Sequence, residues 1–254
     1  MIVSKKVWLV ILGLNAYLAF TITQFPAAIA YRWFAPPDLS LAGVEGTIWS
    51  AQIRSGSVGQ FSFENLKWEL HPSQLFLLRL AGELEADFLG GFVNTRISFS
   101  GNETKLTSLR GGTTIAALKN VLPIRGTKGQ INLALEEVSF VDGWPVYALG
   151  IVNLENVAVP PLVPMGNDDL IQLGNHRINF NEVLGGGLGG VFSDQGGPIE
   201  ASGSWTLDMD QSFLIQGVLQ ARPSADAALI QGINFMTGEP DAAGNREFSF
   251  AGSL

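Results

Sequence analysis

The stretch Ile131-Asn132-Leu133-Ala134-Leu135-Glu136 puts Ile131, Leu133 and Leu135 at every second position, against Asn132, Ala134 and Glu136. A period of two sends the apolar side chains to one face of a β-strand and leaves the other face wet. The pattern recurs along the chain. Leu66, Trp68 and Leu70 oppose Lys67 and Glu69. Val93, Thr95, Ile97 and Phe99 oppose Asn94, Arg96, Ser98 and Ser100, and Trp205 and Leu207 oppose Ser204, Thr206 and Asp208. Turn residues separate these runs, which predicts a mainly antiparallel sheet. A glycine, one variable residue and then an apolar residue recur at Gly46, Gly56, Gly82, Gly129, Gly150, Gly203, Gly217 and Gly252. Glycine tolerates the backbone of a turn or bulge, so each unit reads as a strand start.

Composition agrees with this. The 254 residues are 46% apolar and 15% charged, with 30 glycines and 12 prolines, enough for a core in one domain or two small ones built of short elements. A formal charge of −8 opposes binding to nucleic acid, which needs clustered Lys and Arg. There is no cysteine, so disulfides, thiol catalysis and Cys-ligated zinc are excluded. His71 and His176 have no histidine partner at ligand spacing. Glu83, Glu85 and Asp87 share one face of a strand, and Asp208 with Asp210 and Glu136 with Glu137 form pairs, but all read as solvated surface. The glycine cluster at 185–190 lacks the lysine of a phosphate loop. No catalytic residue, metal site or cofactor is expected.

Helix signals beyond the amino terminus are few. Thr114 to Leu122 has Ile115, Leu118 and Leu122 at helical spacing, and Ser224 is placed to cap a short helix using Leu229 and Ile233. Gly185 to Gly197 reads as a mobile loop, and Val159 to Pro164 as an extended connector that divides the sheet near residue 160. Trp49, Trp68 and Trp205 read as core. Trp144, within Asp142-Gly143-Trp144-Pro145, is expected to be exposed on a turn as a partner contact.

The amino terminus has its own character. After Lys5 and Lys6, the uncharged run Val7 to Phe25 is nineteen residues long, about 28 Å as a helix. Trp8, Leu9, Ile11, Leu12, Leu14, Leu18 and Phe20 supply its apolar surface. Tyr31, Trp33 and Phe34 lie beyond its far end as interfacial aromatics, and Pro26 ends or kinks the helix. The lysines place residues 1–6 in the cytoplasm, 7–25 in the membrane and 26–254 across it, which in a bacterium means a single-pass inner-membrane protein with a periplasmic β domain. Ala28-Ile29-Ala30 has the form of a signal-cleavage site, but the apolar run exceeds a signal core and favours a retained anchor. All 23 acidic residues and 13 of the 15 basic ones follow position 30, a balance of −10 that anionic headgroups repel.

Several stretches together resemble the type II secretion system protein N family. They are the basic tail and span, Leu41 to Ser50 with Gly46-Thr47-Ile48-Trp49, and Leu66 to Pro72 with Trp68, followed by Leu75 to Leu80. The run from Leu219 through Arg222-Pro223 and Ile233-Asn234-Phe235 to Phe250-Ala251-Gly252-Ser253-Leu254 completes the pattern. The resemblance implies a non-enzymatic accessory or scaffold component of the machine that exports folded exoproteins, with other inner-membrane subunits as partners. Gly46, Thr47, Trp49, Trp68, Arg222, Pro223 and Gly252 carry over as pattern positions of structural character. Ala51, where the family more often has glycine, and the glycine-rich segment 185–197 depart from it. The Gly-x-apolar strands also resemble the curved, open, half-pipe sheets of AsmA-type lipid-transfer proteins, and that resemblance implies an apolar groove able to hold acyl chains.

Overall fold

The computed structural model describes residues 5–59, 61–77, 79–118, 126–161, 170–183 and 186–254; the side chains of residues 5–7, 19 and 75–77 are not among them. The described chain is mainly β. Its strands form an open antiparallel meander in chain order, with few helices. Two compact units divide between Asp87 and Phe88. Residue 160, the expected dividing point, follows β8 within the second unit, between the paired strands β8 and β9 in the chain.

The first unit opens with α1 (Lys5–Thr23) and α2 (Ala27–Phe34). Pro26 stands between them as the α2 N-cap, as its missing N–H and fixed φ dictate. Helix α1 is apolar all round, and every described side chain from Trp8 to Ile22 is exposed. Among the described residues, which leave out the side chains of residues 5–7 and 19, no helix is long and apolar enough to cross a membrane, so the span expected at 7–25 rests on the sequence alone. Four strands follow: β1 (Leu39–Gly46), β2 (Ser50–Val58), β3 (Phe61–Leu70) and β4 (Leu80–Phe88). Ala51, Ile53 and Ala86 are buried in this unit, while Glu83, Glu85 and Asp87 point to solvent as expected.

The second unit contains β5 (Gly91–Ser100), β6 (Glu103–Thr114), β7 (Lys128–Val141), β8 (Trp144–Val159) and β9 (Ile171–Phe180). It continues with β10 (Leu188–Asp194), β11 (Ile199–Leu207), β12 (Ser212–Ala221), α3 (Ala227–Met236) and β13 (Arg246–Ser253). The register shows why these strands belong together. Val93, Gly111, Leu133, Val152, Ile178, Phe192, Gly203, Gly217 and Phe248 face one another in turn across β5 to β13, a row with no polar side chain. The adjacent row on the opposite face is Phe92, Gly112, Asn132, Asn153, Arg177, Ser193, Ser202, Val218 and Glu247. Polar side chains predominate in this second row. Because opposed residues in antiparallel pairs share a face, a one-residue slip anywhere would interleave the two rows, so the hydrophobic pattern holds the register.

Several expectations change here. The segment expected as a mobile loop is largely strand: β10 pairs with both β9 and β11. Within the strand, Gly190 serves close approach, since a Cβ there would lie 1.8 Å from the Asn179 carbonyl oxygen. Residues 184 and 185 lie outside the described residues. The Gly-x-apolar units are not strand starts in general. Gly129 lies near the start of β7 and Gly82 near that of β4, but Gly56, Gly150, Gly203 and Gly217 lie within strands and Gly46 and Gly252 at strand ends. The segment beginning at Thr114 closes β6 and then makes a single 3-10 turn, Ile115–Leu118; its remainder to Leu122 lies outside the described residues. Helix α3 forms as expected with Leu229 and Ile233 buried, but its cap is Asp226, whose Oδ1 accepts from the Leu229 N–H at 2.7 Å, and not Ser224.

Candidate functional site

The pattern residues of the first unit meet at the point where the helices pass into the sheet. Gly46 ends β1 at φ +97°, where a Cβ would stand 2.4 Å from the Ser50 carbonyl oxygen, so the tight turn into β2 requires glycine. Thr47 Oγ1 accepts the N–H groups of Trp49 and Ser50, each at 3.3 Å, and stiffens the turn. The turn is then fastened to the chain that leaves α1. The Trp49 indole N–H donates to the Ile22 carbonyl at 2.9 Å, the Ile48 N–H donates to the Phe25 carbonyl at 3.0 Å, and Pro26 bridges to Thr47. Trp68 on β3 closes the group by donating its indole N–H to the Ile48 carbonyl at 3.0 Å.

Tyr31, expected at a membrane interface, bonds to the sheet. Its hydroxyl accepts the Leu41 N–H at 3.0 Å and lies 3.3 Å from the Leu39 carbonyl, which occupies backbone groups of β1. Trp33 and Phe34 beside it are 68% and 77% exposed. Within α1, Asn15 donates to the Ile11 carbonyl, Thr21 to Tyr17 and Thr23 to Phe20, so these polar side chains turn back onto their own helix. Trp8, Leu9, Ile11, Leu12, Leu14, Leu18 and Phe20 are all exposed. Lys5 and Lys6 begin the helix, and their side chains lie outside the described residues.

In the second unit the apolar row forms the broadest surface. Phe180 and Trp205 meet edge to face at 4.9 Å, and Phe192, Phe248 and Phe250 follow one another at 6.1 and 5.8 Å. The Phe192 ring lies over Gly203 and Gly217, where a Cβ would come within 2.5 and 3.1 Å of it, so the two glycines provide the space the ring occupies. Helix α3 covers one part of this surface, packing Leu229 and Ile233 on Ile171 and Ile199. Elsewhere Leu133, Val152, Ile178, Phe192 and Phe248 remain half-buried. The opposite face over β10 to β13 carries a shallow depression of about 670 Å³ lined by Ser202, Ser204, Gln216, Glu247 and Ser249 among others.

Arg222, chosen from the pattern, clasps the β10–β11 turn to the segment leading into α3. Its guanidinium donates to the carbonyls of Gly197 and Ile199 at 3.0 Å each, and pairs with Asp194 at 2.8 Å and Glu200 at 3.7 Å. Burial pushes the Asp194 carboxyl up, but the Arg222 guanidinium and the N–H groups of Gly196 and Ala201 outweigh it and hold it below the usual carboxylate range. His176 opposes Asp194 across β9 and β10; its burial depresses its pKa, with a Leu173 backbone hydrogen bond and the Asp194 charge opposing in part. Pro223 follows Arg222 into the turn ahead of α3, and Gly252 makes room for the Phe213 ring, which would stand 2.9 Å from a Cβ there.

Trp144 departs from expectation. Asp142 and Gly143 do form a turn, with φ of +50° and +80°, but Trp144 opens β8 half-buried, and its indole N–H is buried without a hydrogen-bond partner. Pairing with Val141 across the hairpin draws the ring against the sheet. Sequence reasoning missed Asp194, Asp226 and the role of Tyr31. Asp226, three residues ahead of Leu229, carried a legible cap signal; the other two act through partners distant in the chain. Among the described residues no group of three or more His, Cys, Asp or Glu could hold a metal ion.

Comparison with known proteins follows the same lines. The family model for type II secretion system (T2SS), protein N matches residues 37–249. The chain is 26% identical to a type II secretion system protein N from Aeromonas hydrophila, over 99% of this chain and 100% of that one. It is 25% identical to the protein of that name from Vibrio cholerae serotype O1, over 92% of each. No solved structure matches the chain.

Proposed function

The chain belongs to the type II secretion system protein N family, and from that premise we propose that it is a non-enzymatic accessory of the secretion machinery, held in the inner membrane by α1 with its β units in the periplasm. One observation carries the reading: an all-round apolar helix with exposed side chains is fastened at its end to a sheet by the indole of Trp49. A helix without a polar stripe finds no partner face in water and is suited to lipid. Its Asn and Thr side chains already satisfy themselves on the helix backbone, which lowers the cost of immersion. The uncharged run in the sequence extends from Val7 to Phe25, with lysines ahead of it to set orientation.

In this reading the helix restrains the chain to the membrane plane and raises its effective concentration near other inner-membrane subunits. The work is then protein contact, and the surface around β10 to β13 is the candidate contact region. The AsmA-like alternative, in which the sheet holds acyl chains, has the half-buried apolar row of the second unit in its favour. Photo-crosslinkers at the exposed Val191 and Ser202 of β10 and β11 in cells distinguish the two. Capture of a secretion subunit is the expected result; stoichiometric lipid in the purified chain, with no subunit captured, selects the alternative. A carboxy-terminal reporter active only outside the cytosol tests the topology, and a cytosolic location overturns the anchor.

A further inference from the structure

The two outermost strands in chain order end differently. Strand β1 has the Tyr31 hydroxyl set on its Leu41 N–H and near its Leu39 carbonyl. Strand β13 pairs with β12, and among the described residues no other strand pairs with it. Its phase follows from the residue after it, where the Leu254 N–H donates to the Gln211 carbonyl. In an antiparallel ladder bonded and non-bonded positions alternate, so Phe248, Phe250 and Gly252 direct their backbone groups toward β12. Glu247, Ser249, Ala251 and Ser253 direct theirs outward. Eight residues of strand, Arg246–Ser253, therefore offer an open hydrogen-bonding edge, and the apolar row of the second unit runs out to that edge at Phe248 and Phe250.

We propose that β13 pairs antiparallel with β13 of a second copy of this chain, about a two-fold axis at Ser249. The strand is self-complementary in that register. Glu247 then opposes Ala251 of the other copy and Ser249 opposes its own equivalent, giving about six interchain backbone hydrogen bonds. Phe248 opposes Phe250 at non-bonded positions, where side chains approach most closely, so each phenylalanine meets another across the axis. No like charges face each other; moving the axis to Glu247 would set two carboxylates together. The apolar row of one copy continues into the next, and pairing removes an exposed edge. This inference does not rest on the proposed function, and strand addition by a different protein is the competing outcome.

The absence of cysteine makes the test direct. Ser249→Cys places one thiol per chain on the axis, and Glu247→Cys places its thiols about 14 Å apart by strand rise. For the whole chain in the cells that make it, mild oxidation is expected to give a disulfide-linked dimer with S249C and at least tenfold less with E247C. Ala251→Pro removes an outward N–H, a change an edge strand tolerates, and is expected to shift the detergent-solubilised chain from dimer to monomer mass with its circular dichroism unchanged. A wild-type chain of monomer mass, an S249C chain that does not link to itself, or one captured by a different protein each overturns the proposal.

Discussion

Four tryptophans of the sheet and its turns divide by unit. In the first, the indoles of Trp49 and Trp68 both donate to backbone carbonyls and tie the turn after β1 to its surroundings. In the second, the indole N–H groups of Trp144 and Trp205 are buried without a partner. An indole ring favours a sheet core in either place, and the nitrogen shows what else the site demands. The first unit uses polar atoms to fix where the chain leaves α1. In the second, rings are packed for area on a broad apolar row, and the main polar anchorage is the Arg222 clasp. The first unit is organised for position and the second for surface.

The strongest way to break this comparison is at Gly46. With φ at +97° and the Ser50 oxygen in the path of a Cβ, Gly46→Ala is expected to destabilise the first unit by about 3 kcal/mol. Thermal unfolding by circular dichroism, with limited proteolysis to locate the opened region, measures it. Unchanged melting would mean that the turn relaxes freely and that the junction is not held by geometry.

Next is Arg222. Its loss leaves the Asp194 carboxylate, with only 12% of its side chain exposed, short of its cation, and frees the Gly197 and Ile199 carbonyls. Arg222→Gln is expected to cost about 2 kcal/mol. Amide hydrogen exchange should rise in the β10–β11 turn and at the start of α3, while β1 to β4 stay protected. Exchange spread evenly over both units would merge the two regions that the tryptophans separate.

Some of this was legible in the sequence. The alternating runs gave the antiparallel sheet and its two faces because a period of two has a single structural reading over such lengths. Pattern alone singles out Arg222, Trp49 and Trp68. The glycines were misread for a physical reason. Glycine serves both where φ must be positive and where another group comes too close for a Cβ, and one sequence does not separate the two uses. Gly46 is of the first kind; Gly190, Gly203 and Gly217 are of the second. So β10 reads as a loop, and six of the eight glycines, all but Gly82 and Gly129, read as strand starts where they lie within or at the ends of strands. Trp144 was misjudged because a turn dictates the backbone of its neighbours and says nothing of where the ring then packs. The Asp194 clasp and the seal of Tyr31 on β1 depend on contacts distant in sequence, beyond the reach of local pattern.

A smaller effect sharpens the contrast among the indoles. Trp68→Phe leaves the Ile48 carbonyl without its donor and is expected to cost about 1.5 kcal/mol. Trp205→Phe keeps an aromatic against Phe180 and removes an orphaned N–H, so its cost is expected to lie near zero despite the smaller ring. Equal losses for the two, measured by chemical denaturation, would erase the distinction.

The smallest expected effect is on pH. His71 is exposed in the first unit, whereas His176 lies half-buried in the second, with its pKa depressed below the ordinary 6.5 by burial. The unfolded chain takes up this proton as pH falls through 6.5, while the folded chain resists it until lower pH. Stability from this group is therefore complete above pH 6.5 and declines below it, levelling off once the folded imidazole is also charged. Asp194 does not confound this window. Its depressed pKa keeps it ionised throughout, and its contribution is lost only on acidification through the carboxylate range. The melting temperature should accordingly fall between pH 7.5 and pH 5.5, and His176→Gln should reduce that fall. If the variant falls as far as the wild type, the titration belongs to another group and the buried imidazole does not set the acid response of the second unit.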